Sequence, residues 1–129
     1  MIVADASAIV ELLVGDARTR EAVGAELETR RPVHAPDLMS LEVVSALARH
    51  VRSGSLRRAD HGIVLRAYAE LRIARHPSHP LLPRIADLTA RHSAYDAAYV
   101  ALAELLAAPL ITTDRRLARS ITSAAVILV

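Results

Sequence analysis

The sequence of 129 residues contains no cysteine, lysine, phenylalanine or tryptophan. Without cysteine, the chain has no disulfide, no thiolate metal site and no cysteine nucleophile. The absence of lysine removes every mechanism that needs a lysine side chain. Tyr68, Tyr95 and Tyr99 are the only aromatic residues apart from histidine, which disfavours nucleic-acid modules that stack bases on a platform of several rings.

Long apolar segments are also missing. No uninterrupted apolar run approaches the roughly 18 residues that a membrane-spanning helix needs. The N-terminal stretch lacks a basic region and carries Asp5 and Glu11 within its apolar run, a pattern that is not typical of a secretory signal peptide. We therefore expect a cytoplasmic protein without a membrane partner.

The sequence is rich in aliphatic side chains and in arginine. Hydrophobic residues make up 53% of the chain, enough for a core of aliphatic residues and alanine, and the length suits one domain over residues 1–129. The 16 basic residues are all arginines and are set against 14 acidic ones, which gives a formal net charge of +2. Such a charge does not by itself identify a nucleic-acid-binding protein, although the planar guanidinium group suits phosphate.

Short apolar runs with strand character alternate with helical patterns along the chain. The predicted strands cover residues 2–4, 33–35, 72–75, 110–114 and 125–129, and the predicted helices cover residues 7–14, 17–29, 38–53, 56–71, 81–91 and 93–107. Asp37 is placed to cap the third helix and Gly54 to end it. This alternation predicts a three-layer α/β fold with a central, mainly parallel sheet covered by helices on both faces.

Four acidic residues fall at the same edge of the predicted sheet. Asp5 ends the first strand, and Asp114 ends the strand "LITTD". Asp96 lies near the start of the apolar helix that precedes that strand, and Glu42 lies one turn into the helix after the second strand. Ligands of open parallel sheets bind beyond the carboxyl ends of the strands. We therefore expect these four carboxylates to share one pocket.

Each of the four acids also has a purely structural interpretation. Asp5 and Asp114 are in position to be helix N-caps, and Ser93 with Asp96 has the spacing of a capping box. Glu42 fits the polar edge of an amphipathic helix. As a group, however, four carboxylates at one site need a counter-charge, because like charges at close range resist ionisation.

The chemistry of such a pocket predicts a hard divalent cation. Oxygen ligands without cysteine favour Mg²⁺, for which Mn²⁺ can substitute, and a cation of this kind suits phosphodiester hydrolysis because it stabilises charge on the phosphoryl group. We expect Ser7 and either Thr112 or Thr113 to orient the carboxylates through hydroxyl hydrogen bonds. For Ser7, a role in the first turn of its own helix is an equal alternative.

Four segments carry a family resemblance. "MIVADASAIVELL", "APDLMSLEVVSAL", "SAYDAAYVALAE" and "LITTDRRLA" occur in this order and resemble the signature segments of PIN-domain nucleases, more narrowly the VapC toxins of type II toxin–antitoxin pairs. The resemblance implies a PIN-like α/β/α sandwich and Mg²⁺-dependent endonucleolytic cleavage of RNA. It also implies that Asp5, Glu42, Asp96 and Asp114 are the catalytic, metal-binding acids, and that the protein is a homodimer bound by a cognate antitoxin.

The sequence departs from the PIN pattern just after Asp114. Many PIN domains have a further Asp or Asn shortly after the last acid, whereas Arg115 and Arg116 follow here. We expect these two arginines and Arg119 to contact RNA phosphates, with an exposed helix face as the equal alternative. The H-x-x-H spacing of "HPSH" is interpreted as a loop rather than a metal site, because its prolines break any helix that would align the rings.

Three other functions are open to the same residues. A phosphoacceptor domain also gathers acids around Mg²⁺, but such domains use a lysine that this chain lacks. A binding module would use the acidic pocket only to hold an arginine of its partner. A PIN-domain nuclease that processes RNA without an antitoxin would share the site and the chemistry, and would differ only in its regulation.

Overall fold

One five-stranded sheet forms the centre of the molecule in the computed structural model, which describes residues 1–129. The strands are β1 (Ile2–Ala4), β2 (Val33–Pro36), β3 (Ile73–His76), β4 (Leu110–Thr112) and β5 (Val126–Leu128). Their order across the sheet is β3-β2-β1-β4-β5, and every pair is parallel, with Val3 of β1 opposite both His34 and Leu110. The predicted α/β class is confirmed, with a sheet that is parallel throughout.

Seven α-helices connect the strands. They are α1 (Ala6–Val14), α2 (Ala17–Thr29), α3 (Met39–Ser53), α4 (Arg58–Glu70), α5 (Leu82–Leu88), α6 (Ala94–Leu106) and α7 (Arg115–Ser120), with a short 3₁₀ helix at His79–Leu81. Right-handed crossovers place α1–α4 on one face of the sheet and α5–α7 on the other, because the chain reverses direction across the sheet after β3. None of the helices has the length and apolar character of a membrane span.

Helix α6 supplies much of the core. Its residues 97–103 are all buried, and Tyr99 is the largest fully buried side chain in the molecule. Four of those seven residues are alanines, and alanine lets a helix approach the sheet closely. The apolar character of the segment on nearly all sides thus predicts its burial correctly.

Some predicted boundaries are wrong. Asp37 does not cap α3: Leu38 holds the N-cap position, and the Asp37 Oδ1 atom instead accepts a hydrogen bond of 2.9 Å from Ser78 Oγ. The segment predicted as a helix over 81–91 divides into the 3₁₀ turn and α5, which ends at Leu88. Gly54 ends α3 as predicted, with a left-handed φ of 82°.

The "HPSH" segment is partly strand rather than loop. His76 is the last residue of β3, and its Nε2 atom lies 2.8 Å from Nδ1 of His34 on the neighbouring strand. His79 starts the 3₁₀ turn and has no part in this pair. The two histidines of the motif therefore do not form a site together.

Candidate active site

The candidate site lies where the sheet changes direction. From β1 the chain crosses to β2 on one side, and from β4 it crosses to β5 on the other, so β1 and β4 flank the switch point at which open α/β sheets bind ligands. Asp5 directly follows β1, and Asp114 comes two residues after β4. The strand order thus brings together two acids that are far apart in sequence.

Asp5 is held by hydroxyl groups and does not cap its helix. It occupies the N-cap position of α1 without a capping hydrogen bond. Its Oδ2 atom accepts hydrogen bonds from Ser7 Oγ at 2.5 Å and from Thr112 Oγ1 at 2.8 Å. The residue is only 7% exposed. Burial raises the pKa of Asp5 above its ordinary value, and the charge of Asp96 adds to the increase.

The same two hydroxyls join the ends of β1 and β4. The backbone N–H of Thr113 donates to Ser7 Oγ at 3.1 Å, and that of Asp114 donates to Thr112 Oγ1 at 3.0 Å. The hydroxyl oxygens of Ser7 and Thr112 lie 3.1 Å apart. One hydrogen-bonded cluster thus fixes Asp5 relative to the loop that carries Asp114. Thr113 takes part through its backbone rather than its hydroxyl.

Glu42 reaches the site from α3 and is held by a residue that sequence reasoning missed. The hydroxyl of Tyr99, buried in α6, donates to Glu42 Oε2 at 2.5 Å. Burial raises the pKa of Glu42, the charges of Asp5 and Asp96 raise it further, and the Tyr99 hydrogen bond opposes the increase. The only signal in the sequence was the position of Tyr99, three residues after Asp96 and so on the same side of α6.

Asp96 and Asp114 share one cationic partner, Arg116. An Arg116 Nη2 atom lies 3.1 Å from Asp96 Oδ2 and 3.5 Å from Asp114 Oδ2. Asp114 also caps α7, because its Oδ1 atom accepts from the N–H groups of Arg116 and Leu117 at 2.8 and 3.1 Å. For α6 the cap is Ser93, whose Oγ accepts from the Asp96 N–H at 3.1 Å. Only the backbone N–H of Asp96 takes part in this cap, and its carboxylate pairs with Arg116 instead.

All four acids line one cleft of about 360 Å³, called the acidic cleft below. The other polar side chains of its lining are Ser7, Glu11, Arg49, His50 and Thr113. Glu11 and Arg49 were not predicted, although Glu11 lies on the helix that follows Asp5 and Arg49 lies on the same helix as Glu42. A larger cavity of about 430 Å³ lies at the opposite edge of the sheet, beside Val33 and Ile73 at the starts of β2 and β3, and contains none of the four acids.

The donor chemistry of the acidic cleft suits a hard divalent cation. Its five carboxylates, those of the four predicted acids and Glu11, supply the oxygen donors that Mg²⁺ and Mn²⁺ prefer. In the side-chain arrangement of this structure, no three histidine, aspartate or glutamate residues form a group that could hold an ion. An ion held by three or more of these side chains would require them to move from this arrangement, and ligation by Asp96 or Asp114 would compete with their ion pairs to Arg116.

The three arginines that were predicted to contact RNA differ in their contacts. Arg116 pairs with the acids, whereas Arg115 and Arg119 make no ion pair. Neither Arg115 nor Arg119 lines the acidic cleft. Arg116 is consequently engaged with the very carboxylates that were predicted to bind metal.

Known proteins resemble the chain over nearly its whole length. Residues 2–120 match the family described as the PIN domain. The chain is 40% identical over 117 residues to ribonuclease VapC9 of Mycobacterium tuberculosis, which covers 91% of this chain and 88% of the relative. It is 40% identical over 123 residues to ribonuclease VapC12 of the same organism, covering 93% and 92%.

The fold is likewise similar to solved structures. A toxin–antitoxin complex from Klebsiella pneumoniae contains a chain that superposes with a TM-score of 0.65 at 17% sequence identity, covering 98% of this chain and 96% of that one. Sequence and fold agree with each other along the chain. A match of this extent shows that the chain belongs to the PIN-domain family.

Proposed function

We propose that the chain is a metal-dependent endoribonuclease that hydrolyses RNA phosphodiester bonds and acts as the toxin of a toxin–antitoxin pair. The observation that carries this proposal is the lining of one cleft by Asp5, Glu42, Asp96 and Asp114 at the switch point of the sheet. Relatives that are 40% identical and named VapC ribonucleases support the choice of RNA as substrate.

The same four acids are the proposed ligands of Mg²⁺ or Mn²⁺. When bound, a divalent cation would supply Lewis acidity, which stabilises the charge that develops on phosphoryl oxygens. Two hydroxyls bind one oxygen of the buried Asp5, while its other oxygen stays available. Glu42 is likewise bound by Tyr99 through one oxygen only.

The protein groups around the acids orient the reacting parts. Ser7 and Thr112 fix the Asp5 carboxylate, and Tyr99 fixes that of Glu42, so these two acids are already oriented before substrate binds. Arg116 adjoins Asp96 and Asp114 and is 70% exposed, which leaves its guanidinium free to turn toward a substrate phosphate. Contact between this guanidinium and a phosphate of the substrate is the proposed role of Arg116 in RNA binding.

An antitoxin protein is the proposed regulatory partner. Several solved structures with this fold are complexes, among them the toxin–antitoxin complex from Klebsiella pneumoniae and VapBC2 of Rickettsia felis bound to a promoter DNA fragment. A homodimer bound by antitoxin is the proposed assembly. We expect expression of the chain alone to arrest bacterial growth and expression of Asp5→Asn to have no such effect.

An RNA cleavage assay tests the catalytic part of the proposal. The wild-type chain should cut RNA in Mg²⁺ or Mn²⁺ and stop in excess chelator, and Asp5→Asn or Glu42→Gln should lower the rate at least a hundredfold. Asp37→Asn is the matched control, because Asp37 also follows a strand at this edge but bonds Ser78 outside the cleft. RNA binding without cleavage would instead support a non-catalytic binding module.

A further inference from the structure

A small polar cavity lies between the loop that precedes α6 and the loop that follows α7, and we call it the α7 pocket. Its volume is about 220 Å³, and its polar lining includes Arg84, Asp87, Arg91, His92, Ser120 and Thr122. We propose that the α7 pocket binds one ribose-phosphate unit of the RNA, with the phosphate on Arg91 and the 2′-hydroxyl on His92. This inference rests on the ribonuclease function proposed above and concerns a nucleotide away from the scissile bond.

The α7 pocket and the acidic cleft lie at opposite ends of α7. Asp114 caps the start of this helix and lines the cleft, whereas Ser120 is its last residue and lines the pocket. The six residues between them correspond to about 9 Å along the helix axis, which a stacked strand covers with about three nucleotides at roughly 3.4 Å each. Arg115 and Arg119 lie on the same helix without an ion pair, so positive charge accompanies this path.

His92 is buried in the wall of the pocket with one ring nitrogen unused. The residue is only 8% exposed, and its Nδ1 atom lies 3.4 Å from Ser120 Oγ. Because the Ser120 hydroxyl donates its proton to the carbonyl oxygen of Leu117 at 2.8 Å, Nδ1 is the donor toward Ser120. Neutral imidazole then has its acceptor at Nε2, and this atom makes no hydrogen bond and keeps contact with solvent. Such an acceptor suits the 2′-hydroxyl, the group by which proteins distinguish RNA from DNA.

Arg91 supplies a free guanidinium next to that imidazole. It is exposed, directly precedes His92 and forms no ion pair. Arg84, the other arginine of the lining, is instead held by Glu104 through two hydrogen bonds of 2.7 and 2.9 Å. A phosphate oxygen can therefore bind Arg91 without breaking an existing contact.

The mixed polar lining favours a ribose-phosphate unit over a protein partner or a free anion. Leu88 and Ala90 are the only apolar residues of the lining, whereas stable protein interfaces bury on the order of 1,000 Å² around an apolar centre. The Asp87 carboxylate can accept a hydrogen bond from a sugar hydroxyl, but it repels a bare phosphate. One free cation beside two acceptors thus matches a phosphate that carries its sugar.

RNA binding in chelator tests the proposal without interference from cleavage. The probes are a mixed-sequence, single-stranded RNA and the corresponding DNA, each with a 5′ fluorescein, and the readout is fluorescence anisotropy over a series of salt concentrations. The variants are Arg91→Ala and His92→Leu. Arg66→Ala is the matched control, because Arg66 is exposed, forms no ion pair and lies on α4, on the other face of the sheet.

We expect the wild type to bind RNA more tightly than DNA. His92→Leu should reduce this preference about fivefold, as the loss of one hydrogen bond would, by weakening RNA binding alone. Arg91→Ala should weaken RNA and DNA binding alike and reduce the slope of log affinity against log salt by about 0.7. Arg66→Ala should leave the preference and the salt slope unchanged.

A second measurement follows His92 in the wild type, because a substitution of this buried residue can disturb folding. In ¹⁵N NMR, RNA should shift the Nε2 signal of His92, and DNA should shift it much less. Inorganic phosphate alone should leave the signal in place.

Three results would overturn the proposal. The first is wild-type affinity and salt slope in Arg91→Ala, and the second is a His92 Nε2 signal that responds equally to RNA and DNA. The third is a shift of that signal by inorganic phosphate as large as the shift by RNA, because the pocket would then take a free anion. Cleavage by the wild type in Mn²⁺ is scored separately, so failure of the α7 pocket is distinguishable from failure of the ribonuclease function.

Discussion

Arg116 has a double set of contacts at the candidate site. Its backbone N–H donates to Asp114 Oδ1, and its guanidinium bridges the carboxylates of Asp96 and Asp114. The side chain lies in solvent for most of its surface, so the bridge is easily opened. A guanidinium on these oxygens and a divalent cation on the same oxygens exclude each other, both by position and by charge.

Replacing Arg116 should therefore change metal affinity even without RNA. We expect Arg116→Gln to bind Mn²⁺ about threefold more tightly than wild type, a modest factor because exposed ion pairs are weak. Isothermal titration with Mn²⁺ measures the effect. Arg119→Gln is the control, since it removes the same charge from α7 without touching the acids. Equal affinities in wild type and Arg116→Gln would show that Arg116 does not compete with the metal.

At the scale of elements, α6 connects the core to the site. Its buried face includes Tyr99, and the Tyr99 hydroxyl is the donor that holds Glu42 of α3. Burial also raises the pKa of Tyr99, so this hydroxyl keeps its proton throughout the range in which Glu42 titrates. A core residue thus controls both the position and the proton affinity of a candidate catalytic acid.

Tyr99→Phe should alter the pH dependence of stability in a defined direction. The folded-state pKa of Glu42 is already raised, and loss of the donor raises it further. A group whose pKa is higher in the folded state than in the unfolded state contributes its full stabilisation below the unfolded-state pKa, which is about 4.3 for glutamate. That contribution to the free energy of unfolding is lost as pH rises through the folded-state pKa. In chelator, we therefore expect the difference in melting temperature between Tyr99→Phe and wild type to widen from pH 4 to pH 7.

Tyr68→Phe is the matched control for this prediction. Tyr68 is also buried, and its hydroxyl pairs with Ser40 instead of an acid. Both substitutions should lower the free energy of unfolding by about 1 kcal/mol, because each removes one hydrogen bond. Only in Tyr99→Phe should this decrease depend on pH. A constant difference between pH 4 and pH 7 in both variants would mean that Tyr99 has no influence on the titration of Glu42.

Local patterns predicted the elements well and the contacts between them poorly. The alternation of strands and helices gave the parallel fold, and the apolar character of residues 93–107 gave the burial of α6. Asp37 had the right spacing for a cap, but Ser78, 41 residues later, bonds its carboxylate instead. Tyr99 and Glu42 are 57 residues apart, so no local sequence pattern could have predicted their contact. Tertiary partners of this kind decide which polar groups are caps and which form a site.

At the scale of the whole molecule, sheet order gathers charge that the sequence disperses. The net charge of +2 is small, yet four acids converge beyond β1 and β4 while most arginines lie elsewhere. Burial raises the pKa values of Asp5 and Glu42, the charge of Asp96 raises both further, and the charge of Asp5 also raises that of Glu42. The acidic cleft consequently has a local charge opposite in sign to that of the molecule, and it should attract a single cationic group.

The proposed antitoxin should place an arginine side chain in the acidic cleft. Arg116 already demonstrates that a guanidinium fits the oxygens of Asp96 and Asp114, and an arginine from a partner has the additional gain of neutralising the less exposed Asp5 and Glu42. Such an arginine would exclude the metal.

We therefore expect the purified complex to bind Mn²⁺ at least tenfold more weakly than the free chain in isothermal titration, and co-expression of the antitoxin to relieve growth arrest. Substitution of the inserted arginine by alanine should restore Mn²⁺ binding while the complex stays assembled. A complex that is inactive but binds Mn²⁺ as the free chain does would mean that inhibition acts away from the acids.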